Sequence, residues 1–388
     1  MAERRVYADY NATTPLRDEV KAAMIGDLDV FGNASSMHSS GRQAQARVEQ
    51  ARAAVGELLG AASGRIVFSS GGSESNNTVF ETARNIARNG KDGRNEFIIS
   101  AIEHPCVLNS AGYTKSLGYK LTVVPVDEYG KIRMDAYKAA LSEKTLLVSI
   151  MTANNEIGTI QDIKEIGRLA KEAGALVHTD AVQAVGKIPV NAAELGVDYL
   201  TMSAHKIYGP KGVGALYVKK GVPLLPLIHG GHQEDGLRAG TYNNTGILGF
   251  GKAAALALQD LGLYREKCSA LQQRLKEGLL EKIPDIKING HPVDVLPNTL
   301  NVSFPGAEGE AILLSMDLAG IEASTGSACA SGSLDPSHVL MAIGVGPEIA
   351  HGSIRFSLGW FSSGEDVDYI IKILPPIIEK LRAMSTRQ

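Results

Sequence analysis

The sequence predicts an α/β protein, with a large domain built on a mostly parallel sheet covered on both faces and a smaller α+β domain. Three observations predict it. Short, continuous apolar runs alternate with helical stretches from about residue 65 to residue 218, the pattern of strands buried on both faces. Beyond residue 218 the alternation stops, and a Gly-rich polar stretch leads into a long helical one. The chain has 388 residues, which suits two domains.

The elements follow in order. Residues 6–8 read as a short strand before the turn Asn11-Ala-Thr-Thr-Pro. Ala44, Val48, Ala51, Val55 and Leu58 recur at helical spacing, and Gly60 closes that helix. Residues 65–69 form an apolar run into Ser70-Gly-Gly-Ser-Glu, followed by a helix to about Asn89. Strands at 96–100 and 121–126 flank a helix at 107–117, and a strand at 146–151 precedes a helix at 163–173. Residues 176–178, 199–202 and 214–218 read as further strands, and 224–244 as a functional loop. A helical stretch at 248–283, with Gly262 as its break, leads to a strand at 300–304, a helix at 310–318, a Gly-Ser loop and a final helix from Asp366. The expected division is a large domain of residues 16–262 and a small one of residues 1–15 and 263–388. The small domain carries the loop at about 322–335.

Composition narrows the function. Basic residues number 39 and acidic ones 42, giving a net charge of −3, with 44% hydrophobic and 21% charged residues. That balance fits a folded globular chain and not a disordered one. The densest basic stretch, from Lys211 to Lys220, holds three lysines among Gly and Val, so no nucleic-acid partner is expected. No apolar run reaches the roughly 18 residues of a membrane span, and the first residues lack the apolar core of a secretory signal. A cytoplasmic protein is expected. Cys106, Cys268 and Cys329 are odd in number and far apart, which argues against a disulfide framework or a zinc cluster. His229 and His232 lack an evident third ligand, so no intrinsic metal is expected.

Five places carry chemistry. In Phe68-Ser-Ser-Gly-Gly-Ser-Glu-Ser a strand ends, a glycine pair turns and a helix begins at Ser73. Free N–H groups at a helix start bind phosphate, although the same motif also serves as a plain turn and cap. In Val177-His-Thr-Asp-Ala-Val-Gln, Asp180 follows a strand's C-terminal end, where open α/β sheets bind ligands. An ordinary helix cap would look the same. Met202-Ser-Ala-His-Lys runs a strand into Lys206, a lysine placed to form a Schiff base with pyridoxal 5'-phosphate. Asp180 can then face the pyridine nitrogen, Gln183 the phenolic oxygen, and Gly72, Ser73, Ser203 and His205 the phosphate. Taken alone, Lys206 reads as a surface lysine, and the ordered set is what makes it specific. Glu103-His-Pro puts His104 at the same sheet edge, where an imidazole can stack on the cofactor and shuttle protons. Finally, Ser324-Thr-Gly-Ser-Ala-Cys-Ala-Ser-Gly-Ser sets Cys329 among small residues, suiting a nucleophile that travels. Cys106 and Cys268 lie in helical stretches and read as structural.

These pieces, with Asp9-Tyr-Asn-Ala-Thr-Thr-Pro, Gly32-Asn-Ala-Ser-Ser, Asn154-Asn-Glu-Ile-Gly-Thr, Gly231-His-Gln-Glu and Arg238-Ala-Gly-Thr, occur in one order over essentially the whole chain. Together they resemble a cysteine desulfurase of the NifS/IscS family, and Gly326-Ser-Ala-Cys-Ala-Ser-Gly-Ser-Leu-Asp-Pro-Ser-His is similar to its NifS-type branch. The resemblance implies a class V aminotransferase-like fold (fold type I), a homodimer and pyridoxal 5'-phosphate on Lys206. It implies that Thr241 reaches the phosphate from the neighbouring subunit, that Asn155 contacts the cofactor, and that Arg355 binds the substrate carboxylate with Asn33 and Asn155. Tyr10 and Asp235 depart from the family pattern.

The implied reaction takes sulfur from L-cysteine. Lys206 moves the Cα proton, His104 serves as a further acid/base, and the Cys329 thiolate attacks the substrate sulfur. L-Alanine and a persulfide on Cys329 result. The sulfur would go to an iron-sulfur scaffold protein, and the Cys329 persulfide is a candidate contact for the nascent cluster. A selenocysteine lyase and a class V aminotransferase of the same fold are the rival readings.

Overall fold

A computed structural model describes residues 4–61, 63–90, 93–325 and 336–385. Twelve strands are found among them. They are β1 (Val6–Tyr7), β2 (Gly64–Ser69), β3 (Glu96–Ser100), β4 (Lys120–Val124), β5 (Thr145–Ser149), β6 (Leu176–Asp180), β7 (Tyr199–Ser203), β8 (Gly214–Lys219), β9 (Lys287–Asn289), β10 (Thr299–Ser303), β11 (Ile321–Glu322) and β12 (Ser353–Ser357). Seven form one sheet in the order β2-β8-β7-β6-β5-β3-β4. Only β8 runs against the others.

All five residues of β3, β5 and β7 are buried, which is why these strands read as uninterrupted apolar runs. Successive side chains point to opposite faces. Leu147 packs with Phe80, Phe97 and Val107 on one side, and Val148 with Val48, Ile166 and Phe250 on the other. Helices Gly72–Asn89 and Pro105–Ser116 cover the first face; Ser39–Leu58, Ile163–Glu172 and Asn244–Gln259 cover the second. Buried polar groups inside the sheet are matched across strands. His178 on β6 meets Ser149 Oγ of β5 at 2.8 Å and Thr201 Oγ1 of β7 at 3.1 Å. Burial drives its imidazole down to about 3, so it stays neutral and fixes strand register.

The rest of the chain forms a three-stranded antiparallel sheet, β12-β10-β9, and a parallel pair, β1-β11. A separate apolar cluster joins Val6 and Ala8 to Leu275, Val302, Ile312, Phe356 and Ile370. The N-terminal strand therefore packs with C-terminal elements, and Ala8 O accepts Ser357 N at 2.7 Å.

Several elements differ from the sequence reading. The long helical stretch breaks at Asp260 instead of Gly262, into Asn244–Gln259 and Leu261–Lys282. The Asp260 carboxylate is pulled aside by Arg17 Nη1 at 2.6 Å. Helix Asp18–Gly26 and strand β12 were absent from that reading. Asp235, one of the departing residues, is exposed with φ 55° and lies 3.6 Å from Arg65. Tyr10, the other, is buried in an aromatic cluster with Tyr7 and Tyr208. No helix among the described residues is long and apolar enough to cross a membrane.

Candidate active site

The C-terminal ends of β2, β3, β5, β6 and β7 meet along one edge of the large sheet, and there the chain encloses a cavity of about 320 Å3. Its lining includes Gly72, Ser73, His104, Asn155, Asp180, Gln183, Ser203, His205, Lys206 and Arg355. Those are ten of the thirteen site residues expected from sequence. They come from distant segments: all but Arg355 stand at or after the end of a strand that runs toward this edge, and Arg355 reaches it from the middle of β12 in the other sheet.

Lys206 closes the short turn after β7, and its Nζ donates to the carbonyls of Asn11 and Ala12 at 2.6 and 2.7 Å. The N-terminal turn thus supplies the wall against which this amine rests. Asp180 is buried at the end of β6, with Oδ2 accepting Asn76 Nδ2 at 2.7 Å and Oδ1 accepting Val182 N at 3.0 Å. It is held in place by neutral donors.

His104 caps the helix that starts at Pro105. Its Nδ1 accepts Cys106 N at 3.2 Å, which leaves the neutral ring's proton on Nε2. Burial, opposed by Asp180 and aided by Lys206 and His338, lowers its pKa. His205 is likewise pushed down to about 4, by burial first and then by Lys206, Lys211 and Lys187. Behind them, Glu103 is fully buried and pushed up to about 8 by desolvation. Its Oε1 accepts Ser100 Oγ and, at 2.9 Å, Met151 N.

Anion binding has two supports. Helix Gly72–Asn89 opens into the cavity with no side-chain cap on its first turn, leaving N–H groups for an anion. A Cβ at Gly72 would sit 2.9 Å from Val182 Cγ2, so the turn approaches β6 as closely as only glycine allows. On the far wall Arg355 is buried, donating from Nη2 to Asp9 Oδ1 at 2.6 Å and from Nη1 to Asn155 O at 3.1 Å. The guanidinium borders the cavity, a cation placed for a carboxylate, and its Nε is buried with no partner among the described residues.

Two expected residues are not brought to this cavity, and a third is not among the described ones. Thr241 lines a smaller pocket with Ser69, Ser70, Glu234 and Arg238. Asn33 is exposed, and its Oδ1 accepts Ser35 N at 2.9 Å. Cys329 lies outside the described residues. Others were missed. Cys106, read as structural, lines the cavity with its Sγ 2.9 Å from His104 Nδ1, and burial raises its thiol to about 12. Helix periodicity marked it as packing, but it stands on the first turn of a helix that begins at the sheet edge. Asn11, Asn76 and Lys187 were missed too, and only the motif around Asn11 had been singled out. No group of three or more His, Cys, Asp and Glu among the described residues could hold a metal.

Comparison with known proteins agrees with this geometry. The aminotransferase class-V family matches residues 6–370. The chain is 50% identical over 385 residues to the cysteine desulfurase IscS of Dictyoglomus turgidum, covering 99% of this chain and 97% of that one. It is 47% identical over 383 residues to the IscS of Methanosarcina thermophila, covering 98% and 94%. Among solved structures, a NifS-like protein superposes with a TM-score of 0.90 at 39% identity, covering 97% of this chain and all of that one.

Proposed function

Because the chain belongs to the class-V aminotransferases and, within them, to the cysteine desulfurases, we propose that this cavity takes sulfur from L-cysteine and passes it to Cys329. The family implies pyridoxal 5'-phosphate, and the residues fit it. Lys206 would hold the aldehyde carbon, Asp180 the pyridine nitrogen, and Gly72, Ser73, Ser203 and His205 the phosphate. Asn155 and Gln183 would contact the ring, with His104 beside it. Bound there, the cofactor supplies an electron sink for charge developed at the substrate Cα.

The chain's own residues do the rest. The Arg355 guanidinium binds the substrate carboxylate and so turns the single Cα–H toward Lys206. Lys206 Nζ takes that proton, its neighbours Asn11 O and Ala12 O orienting the amine. His104, neutral and carrying its proton on Nε2, is positioned to donate one and recover it. The Cys329 thiolate attacks the substrate sulfur. The new S–S bond forms as the C–S bond breaks, and the carbon keeps that electron pair and gains a proton, leaving L-alanine. The persulfide would then serve iron-sulfur cluster assembly through a scaffold protein, with Cys329 as the contact to the nascent cluster.

A homodimer completes the reading. Phe31 and Met37, 86% and 90% exposed, flank Asn33, and pairing two copies would cover them while giving Asn33 and Thr241 a neighbouring cavity to serve. The cavity would lie between a large domain, residues 16–262, and a small one, residues 1–15 with 263–388. A cytoplasmic location suits the free thiol chemistry.

The single observation that carries the reading is Lys206, Asp180 and an uncapped, glycine-led helix start facing one cavity. The test is alanine release from L-cysteine with a reductant, for wild type, Cys329→Ala and Lys206→Ala. Loss in both variants supports it. Alanine release kept by Cys329→Ala would instead point to the selenocysteine lyase alternative, and no alanine from any of the proteins to the class V aminotransferase.

A further inference from the structure

One buried titratable group beneath the cavity has no part in the chemistry above. Lys187 is 2% exposed and stands one helical step, four residues, beyond Gln183. Its Nζ donates to Gln183 Oε1 at 2.6 Å and to Asn11 Oδ1 at 2.8 Å. Neither partner is a carboxylate. Burial, with Lys206 and Arg355 nearby, holds the amine well below the usual lysine range, and in both contacts Lys187 Nζ is the donor.

The consequence lies in the direction of the Gln183 amide. A glutamine side chain can be turned either way, because its oxygen and nitrogen occupy similar space. Here the choice is forced from two sides. Lys187 Nζ donates here, so it takes the amide oxygen. Asn11 O accepts only, and it takes Gln183 Nε2 at 2.9 Å. The amide nitrogen has a second hydrogen, and Gln183 lines the cavity. Lys187 therefore sets, from behind, which face of Gln183 a ligand meets. The same amine grips Asn11, whose carbonyl also takes Lys206 Nζ at 2.6 Å.

We propose that Lys187 is a positioning residue that locks the Gln183 amide with its N–H toward the cavity, to donate to the phenolic oxygen of the bound cofactor. This rests on the reading of the cavity as a pyridoxal 5'-phosphate site. A polar network fully satisfied behind a binding residue sharpens that residue's orientation, and breaking one member releases it.

The experiment is cofactor titration of apoprotein, read by the visible absorbance of the loaded protein. It uses wild type, Lys187→Met, Gln183→Leu and the double variant. Methionine keeps the length of the lysine stem and removes its donors. We expect Lys187→Met to weaken pyridoxal 5'-phosphate binding on the order of tenfold, the loss of about one hydrogen bond. The pH midpoint of its visible band should also move. Gln183→Leu should weaken binding at least as much, and the double variant no further, because Lys187 acts through Gln183. Wild-type affinity and spectrum in Lys187→Met would overturn the proposal, and so would losses that multiply in the double variant. Should Lys187→Met not fold, Gln183→Glu reads the same contact. Its carboxylate pairs with Lys187 and has no N–H for the cavity, so the melting temperature holds while cofactor affinity drops; retained affinity overturns the proposal. If wild-type apoprotein takes up no cofactor, it is the functional reading that fails, and this proposal falls with it.

Discussion

Replacing Glu103 with glutamine tests whether the floor behind His104 is held by a protonated acid. The carboxyl is fully buried and its pKa rises from 4.5 to about 8. Oε1 takes Ser100 Oγ and Met151 N, whereas Oε2 has no partner among the described residues. Folding therefore makes this group bind a proton that the unfolded chain, above its ordinary range, has already lost. A raised pKa gives stability that is fully present below the unfolded value and fades as pH rises through the folded one. Each unit is worth about 1.4 kcal/mol. Between about pH 6.5 and about pH 8 Glu103 alone should cost the wild type about 1.5 kcal/mol. Buried His178 and His205, lowered to about 3 and about 4, act in the opposite sense. Their stability is present above the unfolded histidine value and is lost as pH falls, so they do not contribute to this window. Glutamine cannot titrate. The assay is the melting temperature of wild type and Glu103→Gln at steps through that range. The variant should gain on the wild type steadily with pH. A difference that stays flat, or that shrinks as pH rises, would refute the protonated-acid argument.

Two further outcomes follow from contacts already described. Gly72→Val places a branched side chain where a single Cβ already lies 2.9 Å from Val182 Cγ2. It should destabilise the protein by about 1–3 kcal/mol through overpacking and lower cofactor uptake, measured by thermal unfolding and by absorbance titration of the same samples. Arg52 binds the buried Glu234 through both nitrogens, at 2.7 and 2.9 Å. Arg52→Met leaves that carboxylate unpaired and should cost about 3–5 kcal/mol, seen as a lower denaturant midpoint. It should also loosen the segment carrying Thr241, because Glu234 N donates to the Tyr242 hydroxyl at 2.9 Å.

Strands β3, β5 and β7 were legible because each is buried on both faces, so its run is mostly apolar. Asp180 and Lys206 were legible only as a set: alone each reads as a helix cap or a surface lysine, and their order behind the glycine turn at Gly72 is what singles them out. Strand β12 was not. Ser-Ile-Arg-Phe-Ser alternates polar and apolar, which suggests a solvent-facing side, yet all five residues are buried. Its polar side chains are satisfied by partners far away in sequence: Arg355 by Asp9, Ser353 by Ser303 Oγ at 2.7 Å, and Ser357 Oγ by Asn11 N at 2.9 Å. Periodicity over a short window cannot register a partner some hundreds of residues distant. Cys106 was hidden for a related reason. Its local pattern describes a packed helix, and only the three-dimensional position of that helix start turns it toward the cavity.

Asn11 shows how the same remoteness serves the site. Its side-chain nitrogen donates to Thr299 Oγ1 at 2.8 Å and Asn155 O at 3.1 Å, and its Oδ1 accepts Asn298 Nδ2 at 3.0 Å and Lys187 Nζ. Its carbonyl takes Lys206 and Gln183. One buried amide therefore ties the antiparallel sheet, through Asn298 and Thr299, to the residue expected to hold the cofactor. A side chain so placed adds little net stability per bond, but each bond removes an orientation the Lys206 amine could otherwise adopt. Apolar burial holds the two sheets' cores separately. The geometry of the reactive lysine depends on both being folded at once, because the wall it rests on is the N-terminal turn that joins them.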